Sequence, residues 1–572
     1  MSDDESQSRV AIGISFGNSY SSIASTNNDG NTIVIANEDG DRQIPSMLSY
    51  VSGEEFHGQQ AKSQLVRNPT NTVAYFRDFI GQDFKSIDPT PCSGSAHPKA
   101  GSDGATFNIK DTEEDSENTR TISEITTRHL KRLQTSASDY LGKGVNAAVI
   151  TVPTNFTDKQ KEALTASAKE AGIEVLQYIH EPVSAVLAYD ARPDAKLSDK
   201  IVVVVDIGGI RTDVTVIASR GGLYSILATA HDYDVSGAQF DQALMDHFAK
   251  EFIKKHKTDP REDKRALAKL KLESEAVKKA LSIGTNASFS VESLVSGIDF
   301  TSTINRTRFE LIGNKYFASI SRLALSAVEK AGLDPLDVSE IICSGGSSHT
   351  PKVARSLQSA FPEGIPVLAP ATSPTSLNPS ELAVRGAAIQ ASLISEFETE
   401  DIDQSTHPMV TAAPHLGKAI GILSISGDES SGVFRPLVEA HTPVPVRRTA
   451  QIAVPREGGD VLIKICEGVS QIKVSTPAPQ PKAEKKDDED EDSDEDDSED
   501  EPEEVRERVW KAETVLSEAA LRGVKKGAKV EVQLDVAADL SVRVTLRQVG
   551  DKGGKGLIGN IKGSAKENGH AS

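Results

Sequence analysis

Two β hairpins that resemble each other, "VAIGISFGNSYSSIAS" from Val10 and "VVVVDIGGIRTDVTVIA" from Val202, constrain this chain more than any other feature. Their turns lie roughly 190 residues apart, and recurrence at that distance predicts two related lobes facing each other. In each hairpin an apolar run enters a glycine-containing turn and a second run leaves it. Glycine carries no Cβ, so such a turn lets backbone N–H groups approach an anion such as a phosphate. The second turn continues Gly208-Gly209-Ile210-Arg211, and its two large side chains stand where a phosphate needs room.

At 572 residues the chain exceeds a single core, and at about 100–200 residues per domain it suggests three or more units. No N-terminal apolar segment follows a basic stretch. The longest aliphatic run is Ile201 to Val205, far short of the roughly 20 residues needed to cross a bilayer. A cytosolic or nuclear protein without membrane contact is expected. Cys92, Cys343 and Cys466 are odd in number and far apart, which argues against both a disulfide framework and a zinc site.

Residues 9 to 396 alternate β runs with amphipathic helices, the pattern of an α/β domain. One helix start is explicit: Thr157 and Gln160 form a capping box, and Gly172 can end that helix. Another helix carries Leu267, Leu270, Val277 and Leu281 as an apolar stripe interrupted by Ser274. Beside that stripe Glu275, Lys278, Lys279 and Ser282 line a polar face, read from spacing alone as a solvated surface.

After residue 398 the texture changes. Residues 399–413 are polar and proline-containing and read as a linker. Short β runs "KAIGILSIS", "VFRPLVEA", "TAQIAVP" and "VLIKICEG", then "KVEVQLDV" and "LSVRVTLRQV", predict a small β domain over 414–549. An acidic insertion at about 476–507 interrupts it. Residues 487–504 alone hold 15 acidic side chains and no basic one, so of the net charge of −21 the rest of the chain carries only −6. Such a run repels itself and has nothing to bury, so disorder is expected. It serves either as a solvating spacer or as a contact for a basic partner. The end, 550–572, reads as a flexible tail; Lys552, Lys555 and Lys562 are a weak candidate for nucleic-acid contact, and there is no dominant basic patch for DNA or ribosomal RNA.

Seven segments in order, "GISFGNSYSSIA", "NEDGDRQIPSMLSY", "AAVITVPTNFTDKQKEA", "IHEPVSAVLAY", "VDIGGIRTDV", "GIDFTSTINRTRFE" and "CSGGSSHTPKV", make this chain resemble the DnaK-type heat-shock chaperones. The resemblance implies an actin-like two-lobed nucleotide-binding domain (1–398) joined to a small substrate-binding-like β-sandwich. The chain stops too soon after the β domain for that family's helical lid. It also implies ATP as ligand. Gly17, Asn18, Ser19 and Tyr20 would meet it from the first turn, and Gly208, Gly209 and Arg211 from the second. Glu275, Lys278, Lys279 and Ser282 would line the ribose and base helix, turning that polar face from surface into pocket. Gly345, Gly346 and Ser347 would close the adenosine side. His349 stands where the family has a base-stacking Arg, and is either a stacking ring or an incidental surface imidazole.

The departures from the family pattern concern catalysis. Ser15 and Asn18 replace an Asp that organises hydrated magnesium and a Thr near the γ-phosphate. Arg77 replaces the catalytic Lys, a broad fork in place of a compact ammonium. Ile210 and Arg211 replace Gly and Thr; Ile removes room, while Arg211 could reach the phosphates and supply charge. Glu181, Asp206 and Asp213 persist, so magnesium stays an open question, and no catalytic residue or metal ligand is assigned. Phosphoryl transfer depends on positioning and charge placement, so ATP is expected to be bound, retained and hydrolysed slowly or not at all.

Communication is altered as well. The linker is polar where the family's is Leu-rich, and Gln177 and His180 replace an Arg and an Asn that contact J-domain proteins. Within the family these features are similar to those of the atypical fungal members that pair stably with a J-domain protein of the zuotin type. That likeness implies a cytoplasmic, ribosome-associated cochaperone that assists nascent polypeptide folding by stimulating a separate active chaperone. The ribosome would be met through the partner, whose segment would complete the β domain by strand addition. Two rivals differ in what they would show: an ATP-hydrolysing chaperone would turn over ATP, and a nucleotide-exchange factor of the large heat-shock type would speed nucleotide release from one.

Overall fold

The computed structural model describes residues 9–27, 29–102, 104–114, 116–195, 198–406, 414–424, 433–453, 459–475, 505–549 and 557–561. The acidic run at 487–504 lies outside them. The chain forms two compact units, Met1–Thr411 and Ala412–Ser572.

The hairpin repeat becomes two sheets of the same topology. The first runs Glu174–His180, Ala147–Val152, Ala11–Phe16, Tyr20–Thr26, Thr32–Ile35, and the second runs Val367–Leu368, Glu340–Ser344, Lys200–Ile207, Thr212–Arg220, Leu223–Asp232. In each, the incoming hairpin strand pairs antiparallel with its partner and parallel with a later strand. Parallel pairing buries both faces, hence the unbroken apolar run Ile201 to Val205, all buried. Phe16, Phe76 and Phe107 centre the first lobe's core, and Phe240, Phe248 and Phe289 the second's.

Two helices cross where these sheets meet, Glu181–Asp190 and Leu382–Ile394. A Cβ on Gly386 would stand 1.9 Å from the Ser184 carbonyl oxygen, and one on Gly13 2.3 Å from the Ala388 nitrogen, so only glycine permits this approach. The crossing fixes Glu181 at the start of its helix, where the helix dipole favours a carboxylate.

Thr157 and Gln160 form the expected capping box at the start of Asp158–Glu170, and Gly172 adopts φ 83° just beyond its end. The helix Lys264–Ile283 corrects the apolar stripe. Its buried face is Ala266, Leu270, Ser274, Val277 and Leu281, while Leu267 is exposed. The spacing of four, four, three and four brings Ser274 into the buried stripe, not across it.

Parts of two end segments carry regular structure that their composition did not suggest. Thr399–Thr406, read as linker, is helical: Glu400 and Asp401 suit its first turn, and Ile402 is buried beside Leu176 and Ile179. Leu557–Ile561, read as flexible tail, is a strand paired with Val542–Leu546, because Ile561 packs against the β-unit core.

The second unit is an open β-sandwich. One sheet runs Val433–Val438, Ala419–Ser424, Gly459–Ser475, Val505–Val524, and the other runs Val446–Ala453, Lys529–Val536, Val542–Gln548, Leu557–Ile561. Alternating residues such as Ile420, Ile463, Val532 and Leu546 fill the space between them. Gly459–Ser475 and Val505–Val524 form one long hairpin paired out to Ser475 and Val505, so the acidic insertion leaves from its tip. Among the described residues no helix follows Thr406.

Candidate nucleotide site

Both glycine turns open onto one cleft between the lobes. A Cβ on Gly209 would fall 2.2 Å from Ser19 Oγ, so the turns nearly touch. Behind them, the backbone N–H groups of Gly237 and Ala238, at the start of the helix Gly237–His256, donate to the carbonyls of Gly208 and Gly209 at 2.9 and 2.8 Å. Gly345 adopts φ 83°, and its Cβ would meet the Ile207 carbonyl oxygen at 2.5 Å and Asp206 Oδ1 at 2.6 Å. A Cβ on Gly237 would lie 2.7 Å from Ser347 Oγ and 3.3 Å from Lys278 Nζ. Gly208, Gly209, Lys278, Gly345 and Ser347, distant in sequence, thus meet in one place.

On the adenosine side Glu275 is the hub of a cross-lobe cluster. It accepts from the Tyr20 hydroxyl and from Lys62 Nζ at 2.6 Å, both on the first lobe, and pairs with Lys279 at 2.9 Å. Burial raises its carboxyl, but Lys62, Lys279 and Lys278 outweigh this and hold it below the usual range. Burial, and then Glu275, raises the Tyr20 hydroxyl well above its ordinary value. Lys278 pairs with Asp241 at 2.8 Å and donates to the Gly237 carbonyl. Ser282 turns back to the Lys278 carbonyl of its own helix. His349 is half-buried and bonded through Nε2 to Asn378 and Ser380 at 3.0 and 3.1 Å; burial lowers its basicity.

The catalytic positions are crowded with arginine. Arg77, 6% exposed, pairs with Asp78 at 2.7 Å and Glu181 at 3.0 Å and reaches the Phe16 carbonyl. Arg211, equally buried, pairs with Asp213 at 2.8 Å and donates to Tyr233 and to Asn155 of the opposite lobe. Asn18 donates to Asp78 at 3.1 Å, leaving its buried Oδ1 without a hydrogen-bond partner. Glu181, Asp206 and Asp213 line one small cavity with Pro153, Thr154 and Thr215. Burial and then the neighbouring Glu181 push Asp206 up to about 7, against a hydrogen bond from Ser344.

Glycine turns that a Cβ would fill fit a polyphosphate, whose oxygens accept from backbone N–H groups; the orphaned Asn18 oxygen is itself an acceptor and calls for a donor, not an anion. Sequence reasoning missed Lys62, Asp78, Asn155 and Tyr233, which have no motif of their own. Of the two positions associated with J-domain contact, Gln177 accepts from Gln390 and His180 leans on the Pro153 carbonyl.

Fold and cleft together define a two-lobed, actin-like nucleotide-binding protein that carries a β-sandwich. The chain belongs to the Hsp70 family: the family model described as Hsp70 protein matches residues 11–472, and its first unit is that family's ATP-binding domain. It is 42% identical over 555 residues to the ribosome-associated complex subunit SSZ1 of Saccharomyces cerevisiae, covering 97% of this chain and 100% of that protein. It is 41% identical over 566 residues to a heat shock protein 70 homolog of Schizosaccharomyces pombe, covering 98% and 96% respectively. Heat shock 70 kDa protein 14-B of Xenopus laevis is 32% identical over 476 residues, with 82% and 89% covered.

Proposed function

We propose that this chain is a non-cycling cochaperone that holds ATP as a structural ligand. It works in the cytoplasm at the ribosome, paired with a J-domain protein of the zuotin type, and assists nascent chains by stimulating a separate active chaperone. The likeness to a ribosome-associated complex subunit supports the setting. The observation that carries the biochemical reading is the pinning of Glu181 and Asp213 by Arg77 and Arg211.

Hydrolysis needs a water held in line with the γ-phosphorus and charge placed on the transferring group. Arg77 is permanently protonated and locked into two carboxylates, so it neither accepts a proton nor offers a compact ammonium to a water. In this reading the N–H groups of the Gly17 and Gly208-Gly209 turns receive the phosphates. The Glu275 helix and Ser347 receive the adenosine, and Arg77 and Arg211 offset phosphate charge. With Glu181 and Asp213 paired to arginines, Asp206 is the carboxylate left to hold a hydrated magnesium, which would supply further charge at the phosphates.

Anything that binds only the folded state stabilises it, by about 4 kcal/mol at a thousandfold excess over Kd. Retained ATP would therefore clamp the two lobes without turnover. Gentle purification from the native source tests the whole reading. Bound nucleotide identified as ATP, with a stoichiometric J-domain protein, is the expected result; ADP or an empty site without a stable partner contradicts it.

A further inference from the structure

The helix Ile122–Leu141 places a histidine in its apolar stripe, four residues from both Ile125 and Leu133. His129 is 1% exposed. Its ring lies 5.6 Å from that of Phe16 and meets that of Phe76 edge-on at 5.8 Å. Phe16 and Phe76 directly precede Gly17 of the nucleotide turn and Arg77 of the catalytic position.

From the ring a chain of short polar contacts leads into the turn. His129 Nε2 is 2.9 Å from Ser21 Oγ, Ser21 Oγ is 2.8 Å from Ser46 Oγ, and Ser46 Oγ is 2.7 Å from the Gly17 carbonyl oxygen. Proton counting fixes its direction. A carbonyl only accepts, so the single Ser46 proton goes to Gly17. Ser21 must then spend its single proton on Ser46 Oγ. Its own oxygen is left to accept, so His129 must carry its hydrogen on Nε2. Nδ1 is then an unprotonated lone pair, and it is buried without a partner, as a neutral ring in an apolar wall requires. Burial also lowers the ring to about 3, so it stays neutral over the physiological range.

We propose that His129 is a positioning residue for the nucleotide, an Nε2–H donor that fixes the Gly17 turn through Ser21 and Ser46. It touches no ligand; it sets the carbonyl direction, and hence the N–H directions, of the turn that receives phosphate. The effect on ATP rests on the ATP-holding reading above, whereas the tautomer does not.

Two measurements on the full chain test it. In nucleotide-free protein labelled with ¹⁵N-histidine, and with His129→Gln assigning the resonance, the ring nitrogens should show one neutral Nε2–H tautomer from pH 5 to 8. An Nδ1–H tautomer, or titration near the ordinary histidine value, overturns the relay. In protein loaded with ATP and gel-filtered, His129→Phe, which keeps an aromatic ring but no donor, should release ATP about tenfold faster, the loss of one well-placed hydrogen bond. His129→Gln, which keeps a donor, should stay nearer the wild type. Should the Phe variant not fold, Ser46→Ala removes the last link with almost no change in volume and should show the same acceleration. Release from the donor-free variant at the wild-type rate refutes the positioning role even if the tautomer is correct. A wild type that holds no ATP defeats the ATP-holding reading instead, and the tautomer still decides the relay.

Discussion

Asp206 offers a quantitative handle on the electrostatics of the cleft. Its carboxyl lies beside Glu181 in a cavity also lined by Asp213, and burial followed by Glu181 raises it to about 7 from an ordinary 3.8. A carboxyl with a folded value above its unfolded one binds protons more tightly when folded. Its contribution to stability is therefore best at low pH and declines as pH rises from about 4 to about 7. Between pH 5 and 8 the full shift amounts to about 2.6 kcal/mol. Asp206 is half-buried, so water screens part of this and about 1–2 kcal/mol is expected. Asp206→Asn mimics the protonated state and should remove that dependence. It should be more stable than wild type by about 1–2 kcal/mol at pH 8 and closer to it at pH 5. Urea unfolding of nucleotide-free wild type and variant in parallel, followed by far-UV circular dichroism, reads the difference. Parallel pH profiles would refute the reasoning, since Asp206 would then be ionised throughout.

Other perturbations probe the remaining parts of the site. Gly345→Ala forces a Cβ against the Ile207 carbonyl at positive φ, and should cost about 1–3 kcal/mol with ATP affinity, measured by calorimetry, falling at least tenfold. Glu275→Ala strands the buried Lys62 ammonium and should destabilise by up to about 3–5 kcal/mol. The double variant Glu275→Ala with Lys62→Met should recover much of that loss in thermal melts. Because Arg77 and Arg211 already place positive charge in the cleft, ATP retention during gel filtration should fall less than about tenfold in EDTA. Complete loss of nucleotide there would show that magnesium carries the binding.

The architecture was legible because it repeats. Two similar hairpins fixed two lobes of equal topology, and alternating runs after residue 414 specified a sandwich, since side-chain period is a local property. The glycines of the turns were legible for the same reason: Gly209 and Gly345 are required by steric approach, which a motif records. What escaped was tertiary. Lys62 lies 213 residues from Glu275, and nothing in "AKSQLV" shows that the helix Gly58–Ser63 faces the other lobe. Asp78 was passed over beside Arg77 although it closes the arginine's other side. A histidine in an apolar stripe was the available signal for His129, but Ser21 comes from the strand Tyr20–Thr26 and Ser46 from the bend between Ile44–Pro45 and Met47–Val51. Composition understated order in two places: Ile402 is buried in the first unit, and Ile561 is partly buried against the β-unit core, within segments that read as linker and tail.

The central claim is that ATP here is a fixture of the fold and not a fuel. The direct test loads the purified chain, freed of contaminating chaperone, with γ-labelled ATP and follows the bound label through a single turnover. The account predicts that the label stays on intact ATP for hours while bound nucleotide persists. Release of labelled phosphate at the rate of an active Hsp70 in the same assay would show that Arg77 supports hydrolysis after all and would contradict it.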